Sequence, residues 1–153
     1  MPTNPYPLIP WMNTAYSLLG TKETPGRRNT EEILQWAKVI GVDDFYKADS
    51  IPWCGLFVGF CMADNGLMPV NGPLLARDWN GYGTDLTPPS FGAIMVWPHH
   101  VGFYVDETQD RYMILGGNQA DAVTISPHWK YTSIGSHWPP GMEKFLTTNI
   151  PMS

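Results

Sequence analysis

The ten residues from Cys54 to Ala63 constrain the fold more than any other part of the chain. Their sequence, CGLFVGFCMA, would be apolar on nearly every side of a helix. Pro52 falls where the first turn of such a helix would begin, and Asn65-Gly66 is a typical helix end. A helix without a polar face must be covered on all sides, so we expect it at the centre of the molecule.

The segments on either side of this helix differ in their hydrophobic period. Two helical stripes precede it, and Asn29 followed by Glu32 predicts the start of the second; the stripes are Trp11, Ala15, Leu18 and Leu19, then Ile33, Trp36, Ala37 and Ile40. From Phe91 onwards, short β-branched or aromatic segments separated by turn residues predict strands at Gly92–Trp97, His100–Val105, Tyr112–Gly117 and Val123–Ile125. This order predicts an α+β fold in which N-terminal helices pack on a C-terminal antiparallel β-meander. The connector between them, 67–90, predicts a loop with one helical turn.

Composition excludes several classes of protein. A chain of 153 residues with 43% hydrophobic residues predicts one globular domain spanning 1–153. A net charge of −5, with no basic run longer than Arg27-Arg28, argues against a nucleic-acid partner. The longest apolar stretch is far shorter than the roughly 18 residues that a membrane span requires. The residues after Met1 lack the basic and apolar regions of a signal peptide, so we expect synthesis in the cytoplasm.

The two cysteines, Cys54 and Cys61, differ in their predicted surroundings. Seven residues apart in one helix, they are separated by about 10.5 Å along its axis, too far for a disulfide. Cys54 falls in the first turn, where unpaired backbone N–H groups and the helix dipole would lower the thiol pKa and favour a nucleophilic thiolate. The alternative is a small core residue. Cys61 lies two turns deeper and is interpreted as core.

A reactive thiol requires a base, and His100 is the best placed of the four histidines. It begins a predicted strand, on the same face as Gly102 and Tyr104. Its neighbour His99 points the other way and is interpreted as a surface or connector residue. The two remaining histidines, which lie in the tail, are interpreted as structural or solvated: His128 and His137.

A polar residue at the end of the following strand could orient the imidazole. Asn118 could accept the imidazole N–H and fix its tautomer, as in a Cys-His-Asn arrangement. Its other interpretation is a simple turn residue. Gln119 is the alternative orienting residue, because a register slip of one residue exchanges the two faces of a strand.

Four sequence blocks carry a resemblance to a known family. They are PWCGLFV at 52–58, ARDW at 76–79, HVGFYV at 100–105 and LGGNQ at 115–119. In this order and spacing the chain resembles the CHAP/NlpC-P60 superfamily of papain-like peptidoglycan hydrolases, and more narrowly its small phage and prophage members, the endolysins. The resemblance covers about Leu18 to Ile125, giving a catalytic core of about 18–126 and a tail, 127–153, rich in Pro and Trp. His99 replaces the glycine that usually precedes the family's histidine, and Trp53 replaces an aspartate found in many members.

The resemblance implies a papain-like fold and a cysteine amidase or peptidase that cleaves an amide bond of the cell-wall stem peptide without a cofactor. It implies Cys54 as the nucleophile, His100 as the base and a polar third residue, assigned to Asn118. It also implies a monomer whose partner is peptidoglycan. A groove for the sugar–peptide strand is expected from Trp53, Trp79 and Tyr82, with Gln119 nearby; core or loop packing is the equal alternative for the aromatic residues.

Three charged residues have two interpretations each. Glu23 and Asp49 either shape the floor of a cleft or cap a helix. Arg77 either binds a stem-peptide carboxylate or forms a surface salt bridge.

Competing functions remain open at this point. A zinc hydrolase would use the histidines, although no His-Glu-x-x-His or Cys-x-x-Cys block is present. A non-catalytic module of the same fold would bind the cell wall or a partner. An injected antibacterial amidase would require an immunity protein. An enzyme made without a leader would need a separate pore or an injection apparatus to reach the periplasm or wall.

Overall fold

The computed structural model describes residues 2–22, 31–43 and 52–148, and within them the fold is mixed α+β. Three α-helices are present in these ranges: α1 (Pro10–Ser17), α2 (Glu31–Val39) and α3 (Cys54–Ala63). The six strands are β1 (Thr84–Asp85), β2 (Ile94–Trp97), β3 (His100–Glu107), β4 (Arg111–Gln119), β5 (Ala122–Trp129) and β6 (Gly135–Trp138). Short 3-10 helices lie at Ala76–Trp79, Lys130–Thr132 and Glu143–Thr148. No helix in the described ranges has the length and apolar character that crossing a membrane requires.

The strands form one antiparallel sheet in the order β1-β6-β2-β3-β4-β5. The predicted meander is confirmed as β2 to β5. The strands β1 and β6, in the connector and the tail, were not predicted. A strand of two residues is too short to show alternation, and β6 begins at a glycine and is followed by two prolines. The 3-10 helix Ala76–Trp79 is the single helical turn expected in the connector.

The apolar helix α3 is central, as its sequence predicts. Its Phe57 ring meets Phe103 of β3 edge-on, with centroids 6.0 Å apart. On another side Trp36 of α2 packs against Phe57 and Phe60, at 5.9 and 5.5 Å. The helix begins at Cys54, so Pro52 precedes the first turn and does not lie within it. Burial between α2 and the sheet explains why α3 needs no polar face.

Three sequence predictions concern residues outside the described ranges. They are the N-cap assigned to Asn29 and the cleft or capping roles of Glu23 and Asp49. Glu31 and Glu32, which are described, lie in the first turn of α2, where the positive end of the helix dipole stabilises carboxylates.

Two glycines of α3 should respond oppositely to alanine. A Cβ on Gly55 would lie 2.0 Å from the carbonyl oxygen of Pro73, whereas at Gly59 the nearest atom is the terminal methyl of Ile40, at 3.1 Å. Alanine is otherwise the better helix former by about 1 kcal/mol. We expect Gly55→Ala to lower the free energy of unfolding by about 2–4 kcal/mol, because backbone must shift. Gly59→Ala should stay within about 1 kcal/mol of the unmodified protein.

Urea denaturation of both variants measures this difference. Equal effects of the two substitutions would show that α3 does not pack on the Pro73 carbonyl.

Candidate active site

Cys54 is the first residue of α3, and its side chain lines a cavity. Both cysteines are free thiols, and the Cys54 residue is 5% exposed. The cavity has a volume of about 390 Å³, within the range of ligand pockets. Its lining residues are Pro52, Cys54, Leu74, Leu75, Ala76, Arg77, Pro98 and His99. A small ligand that enters this cavity would therefore contact the Cys54 sulfur in a largely apolar environment.

Burial raises the pKa of the Cys54 thiol above its ordinary value. Hydrogen bonding by the backbone of Val101, Gly55 and Cys54 itself lowers this pKa, but by less than burial raises it. The expected lowering of the thiol pKa is therefore wrong, because the lost hydration of a thiolate outweighs the backbone N–H groups at the helix start. Cys61 is completely buried and its pKa is raised well above the ordinary value, as expected for a core residue.

The side-chain oxygen of Gln119 is hydrogen-bonded to two histidines. Its Oε1 lies 2.9 Å from Nε2 of His100 and 2.9 Å from Nε2 of His128. The two imidazole rings are stacked, with centroids 4.4 Å apart and planes 13° from parallel. On its other side the Gln119 amide Nε2 donates to the carbonyl oxygens of Ile114, at 3.1 Å, and Thr124, at 2.8 Å.

These contacts fix the tautomers of both histidines. Carbonyl oxygens only accept hydrogen bonds, so the Gln119 amide nitrogen must face them and its oxygen must face the imidazoles. Each neutral imidazole then donates from Nε2–H to that oxygen. The lone pair of His100 is consequently on Nδ1, which becomes the basic atom of the ring.

Both imidazoles are neutral at pH 7. The pKa of His100 is lowered to about 4, first by burial and then by repulsion from the protonated form of His128, against the opposing effect of its hydrogen bond to Gln119. Burial also lowers the pKa of His128. A neutral imidazole with a defined lone pair can accept a proton, which is the requirement for a general base.

The orienting hydrogen bond comes from Gln119, and the assignment to Asn118 needs correction. Asn118 makes no hydrogen bond to His100, although the structure describes both residues. The β4–β5 pairing shifts between Gly116 and Gln119, and Asn118 adopts a left-handed φ of 58° within that shift. Such a bulge changes which side chain faces inwards, which is the register slip that made Gln119 the alternative.

His128 is the site residue that sequence reasoning missed. It was interpreted as structural or solvated because the predicted strand stopped at Ile125, whereas β5 continues to Trp129. Polar residues at every second position, Thr124, Ser126 and His128, were the signal that could have extended the strand. Their alternation turns His128 to the same face as Thr124, which Gln119 also contacts.

The structure brings the thiol beside the histidine strand but forms no Cys54–His100 hydrogen bond in the part it describes. Phe103 faces α3, so alternation along β3 directs His100 to the other side, towards the Trp97 ring at 6.1 Å. The backbone of Val101, the residue after His100, is the part of β3 that hydrogen-bonds with the thiol. The thiol therefore contacts the backbone at the start of β3, while the His100 ring lies on the opposite face of that strand, against Trp97 and His128.

Two glycines allow this close packing. A Cβ on Gly116 would lie 3.3 Å from Nε2 of His100, and a Cβ on Gly117 would lie 2.7 Å from Cβ of Phe57 and 2.8 Å from the Trp53 ring. Gly116 and Gly117 of β4 therefore lie between the histidines on one face and the start of α3 on the other. Because glycine has no side chain, both groups can pack directly on the strand.

The aromatic residues proposed for a substrate groove belong to the core. Trp53 and Trp79 are fully buried, and Tyr82 is 7% exposed. The Trp79 indole donates to the carbonyl of Pro73, at 3.0 Å, and the Tyr82 hydroxyl donates to that of Met68, at 2.7 Å. The groove prediction is wrong for all three and the alternative of core packing is correct, because large aromatic rings are most stable when their apolar area is buried. Gln119 is also buried, and its side-chain oxygen contacts the two histidines.

The remaining two histidines have distinct places. His99 is exposed and lines the cavity that contains Cys54. His137 is 3% exposed; its Nε2 lies 2.8 Å from Oδ1 of Asn80 and 3.3 Å from the backbone nitrogen of Gly81, and its Nδ1 lies 3.1 Å from the Asp85 carboxylate. These contacts tie β6 to the connector and agree with a structural role. Across 2–22, 31–43 and 52–148, no three His, Cys, Asp or Glu side chains gather as a metal site would require.

Comparisons with known proteins add no family or relative. A scan against models of protein families finds no match, and a search of curated proteins finds none that matches this chain.

The buried histidines should make the fold sensitive to acid. The unfolded chain binds a proton at His100 below about pH 6.5, whereas the folded chain does so only near pH 4. The contribution of His100 to the free energy of unfolding is therefore fully present above pH 6.5. It is lost as the pH falls towards 4, which lowers the free energy of unfolding by about 2–3 kcal/mol. Urea denaturation between pH 7 and 4 measures the loss. In His100→Gln the loss should be smaller; an equal loss would place the acid sensitivity elsewhere.

Proposed function

We propose that the protein is a cysteine-dependent hydrolase of a papain-like, endolysin-like kind, which cleaves an amide bond of the peptidoglycan stem peptide. One observation carries the proposal: a free thiol at a helix start opens onto a cavity and contacts the strand that bears an imidazole of fixed tautomer. The order of the four sequence blocks supplies the substrate class.

The proposed reaction starts from a neutral thiol and a neutral imidazole. As the sulfur of Cys54 attacks the amide carbon, its proton passes to Nδ1 of His100, a C–S bond forms and the carbonyl oxygen becomes an oxyanion. Collapse of this intermediate breaks the C–N bond, and the imidazolium returns the proton to the leaving amine. A water, deprotonated by His100, then hydrolyses the thioester and frees the thiol.

The resting state has a neutral pair because burial opposes charge on both partners. Proton transfer therefore has to accompany attack. The His100 ring, which alternation along β3 directs away from α3, has to turn towards the sulfur for this transfer, so the proposal requires a rearrangement of the start of β3 when substrate fills the cavity. Catalytic hydrogen bonds are often long without substrate and shorten in the complex. The backbone N–H of Cys54, at the start of α3, is the proposed donor to the oxyanion.

Purified sacculi test the proposal directly. Incubation with the reduced protein should release fragments whose masses identify the cleaved amide bond. Iodoacetamide should abolish release, and a metal chelator should leave it intact. Activity that resists alkylation and is lost with the chelator would replace the thiol mechanism with the zinc alternative.

A wall-binding module without catalysis is the second candidate. The absence of a Cys54–His100 hydrogen bond in the described chain, together with the raised thiol pKa, favours it. Such a module would sediment with sacculi and release no fragments, whereas the hydrolase would release them under the same conditions.

The biological setting is part of the proposal. The protein would act in the periplasm or cell wall after release through a pore, as an endolysin, or after injection as an antibacterial effector with an immunity partner. Co-purification of a specific inhibitor encoded with it would distinguish the second setting from the first.

A further inference from the structure

The cavity beside Cys54 contains one permanently charged side chain. Of its eight lining residues, Arg77 alone carries a charge at every physiological pH. Arg77 is exposed, and it makes no ion pair with any residue that the structure describes. The surface salt bridge considered from the sequence is therefore not formed within those residues, and the guanidinium is available to a ligand.

The other walls strengthen the effect of that charge. Apolar side chains from three segments surround the cavity: Pro52, Leu74, Leu75, Ala76 and Pro98. A cation at the edge of a low-dielectric recess attracts an anion more strongly than the same cation on an open surface. The chain as a whole has a net charge of −5, so an attraction for anions here must be local.

The position of Arg77 is fixed by its neighbours in the 3-10 helix Ala76–Trp79. Ala76, just before Arg77, and Trp79, two residues after it, are buried, and the Trp79 indole is hydrogen-bonded to the Pro73 carbonyl. The same carbonyl lies against Gly55, the residue after the nucleophile. The segment that carries Arg77 is thus packed directly on the first turn of α3.

We propose that Arg77 binds a carboxylate of the molecule that Cys54 attacks, so that the cavity selects acidic peptides with a free carboxylate close to the scissile amide. The planar guanidinium can hold a carboxylate through two parallel hydrogen bonds, which fixes orientation as well as charge. The selection of a substrate rests on the proposed function, but the anion preference of this cavity does not.

Two alkylating reagents of nearly equal size measure the anion preference. Iodoacetate carries a carboxylate and iodoacetamide a neutral amide. The Cys54 thiolate attacks the CH₂ carbon of either reagent, so that a C–S bond forms, the C–I bond breaks and iodide leaves. The ratio of their rates at Cys54, followed by peptide mass spectrometry, cancels changes in thiol reactivity. We expect Arg77→Gln to lower the iodoacetate-to-iodoacetamide ratio by about five-fold or more at low ionic strength.

Matched variants exclude effects of net charge and of folding. Arg77→Lys keeps the charge without the planar pair of donors and should retain most of the ratio. Arg111→Gln makes the same change at the opposite end of β4 from Gln119 and should leave the ratio unaltered. An unchanged ratio in Arg77→Gln, or an equal fall in Arg111→Gln, would overturn the proposal.

Hydrolysis separates this inference from the proposed function. Stem peptides with a free carboxylate should have a lower KM than their amidated forms, and Arg77→Gln should remove that difference. A ratio that depends on Arg77 without any hydrolysis would support the carboxylate site and contradict the hydrolase. Hydrolysis with equal KM for both peptides would support the hydrolase and contradict selection by Arg77.

Discussion

Cys54→Ala is expected to reduce fragment release from sacculi by at least about 10³-fold while leaving the fold intact. Without the sulfur no thioester can form, and the remaining groups of the site can only bind and polarise the amide. The side chain is small, so its loss should cost little stability compared with the loss of activity. Mass spectrometry of released fragments measures the rate, and circular dichroism checks the fold.

The second cysteine provides the matched control. Cys61 lies in the same helix, is fully buried, and has no access to the cavity lining. Cys61→Ala removes the same atom and should retain activity within a few-fold. If neither variant lost activity, or if Cys61→Ala alone did, Cys54 would not be the nucleophile.

The parts of the fold that sequence predicted are those with a strong hydrophobic period. The central position of α3 follows from an apolar surface on every side, and the meander β2 to β5 follows from short alternating segments between turns. The pairing of β6 with β2 could not be predicted, since it joins segments separated by more than thirty residues without a local signal. The pairing of strands that are distant in sequence depends on tertiary packing, which the hydrophobic period of each segment does not predict.

The site was only partly predictable for the same reason. The position of Cys54 at a helix start follows from local pattern, but the pKa of its thiol depends on burial by distant segments. The local sequence around Trp53 and Trp79 does not indicate whether these side chains face solvent or the core, and in the structure both are buried. His128 reached His100 only because β5 runs four residues beyond its predicted end.

Gln119→Leu is expected to reduce hydrolysis by about 10²–10⁴-fold; the upper end is the loss seen when a catalytic imidazole takes the wrong tautomer. Leucine fills similar space but offers no acceptor to Nε2–H of His100 or of His128. The tautomer with its proton on Nδ1 then becomes accessible, and that tautomer cannot take the proton of the thiol. Two partly buried imidazole N–H groups would also lose a partner, so a stability loss of about 1–3 kcal/mol should accompany the change.

Asn118→Gly separates the two candidate orienting residues. Glycine tolerates the left-handed φ of 58° at this position, so the bulge that turns Gln119 inwards should persist. Activity should therefore stay near that of the unmodified protein, and the NMR shifts of the His100 ring should keep the Nε2–H pattern. A large loss in Asn118→Gly with near-normal activity in Gln119→Leu would restore the original assignment. Because the bulge alone decides which amide faces the imidazole, this pair of variants tests the geometry on which the proposed proton transfer depends.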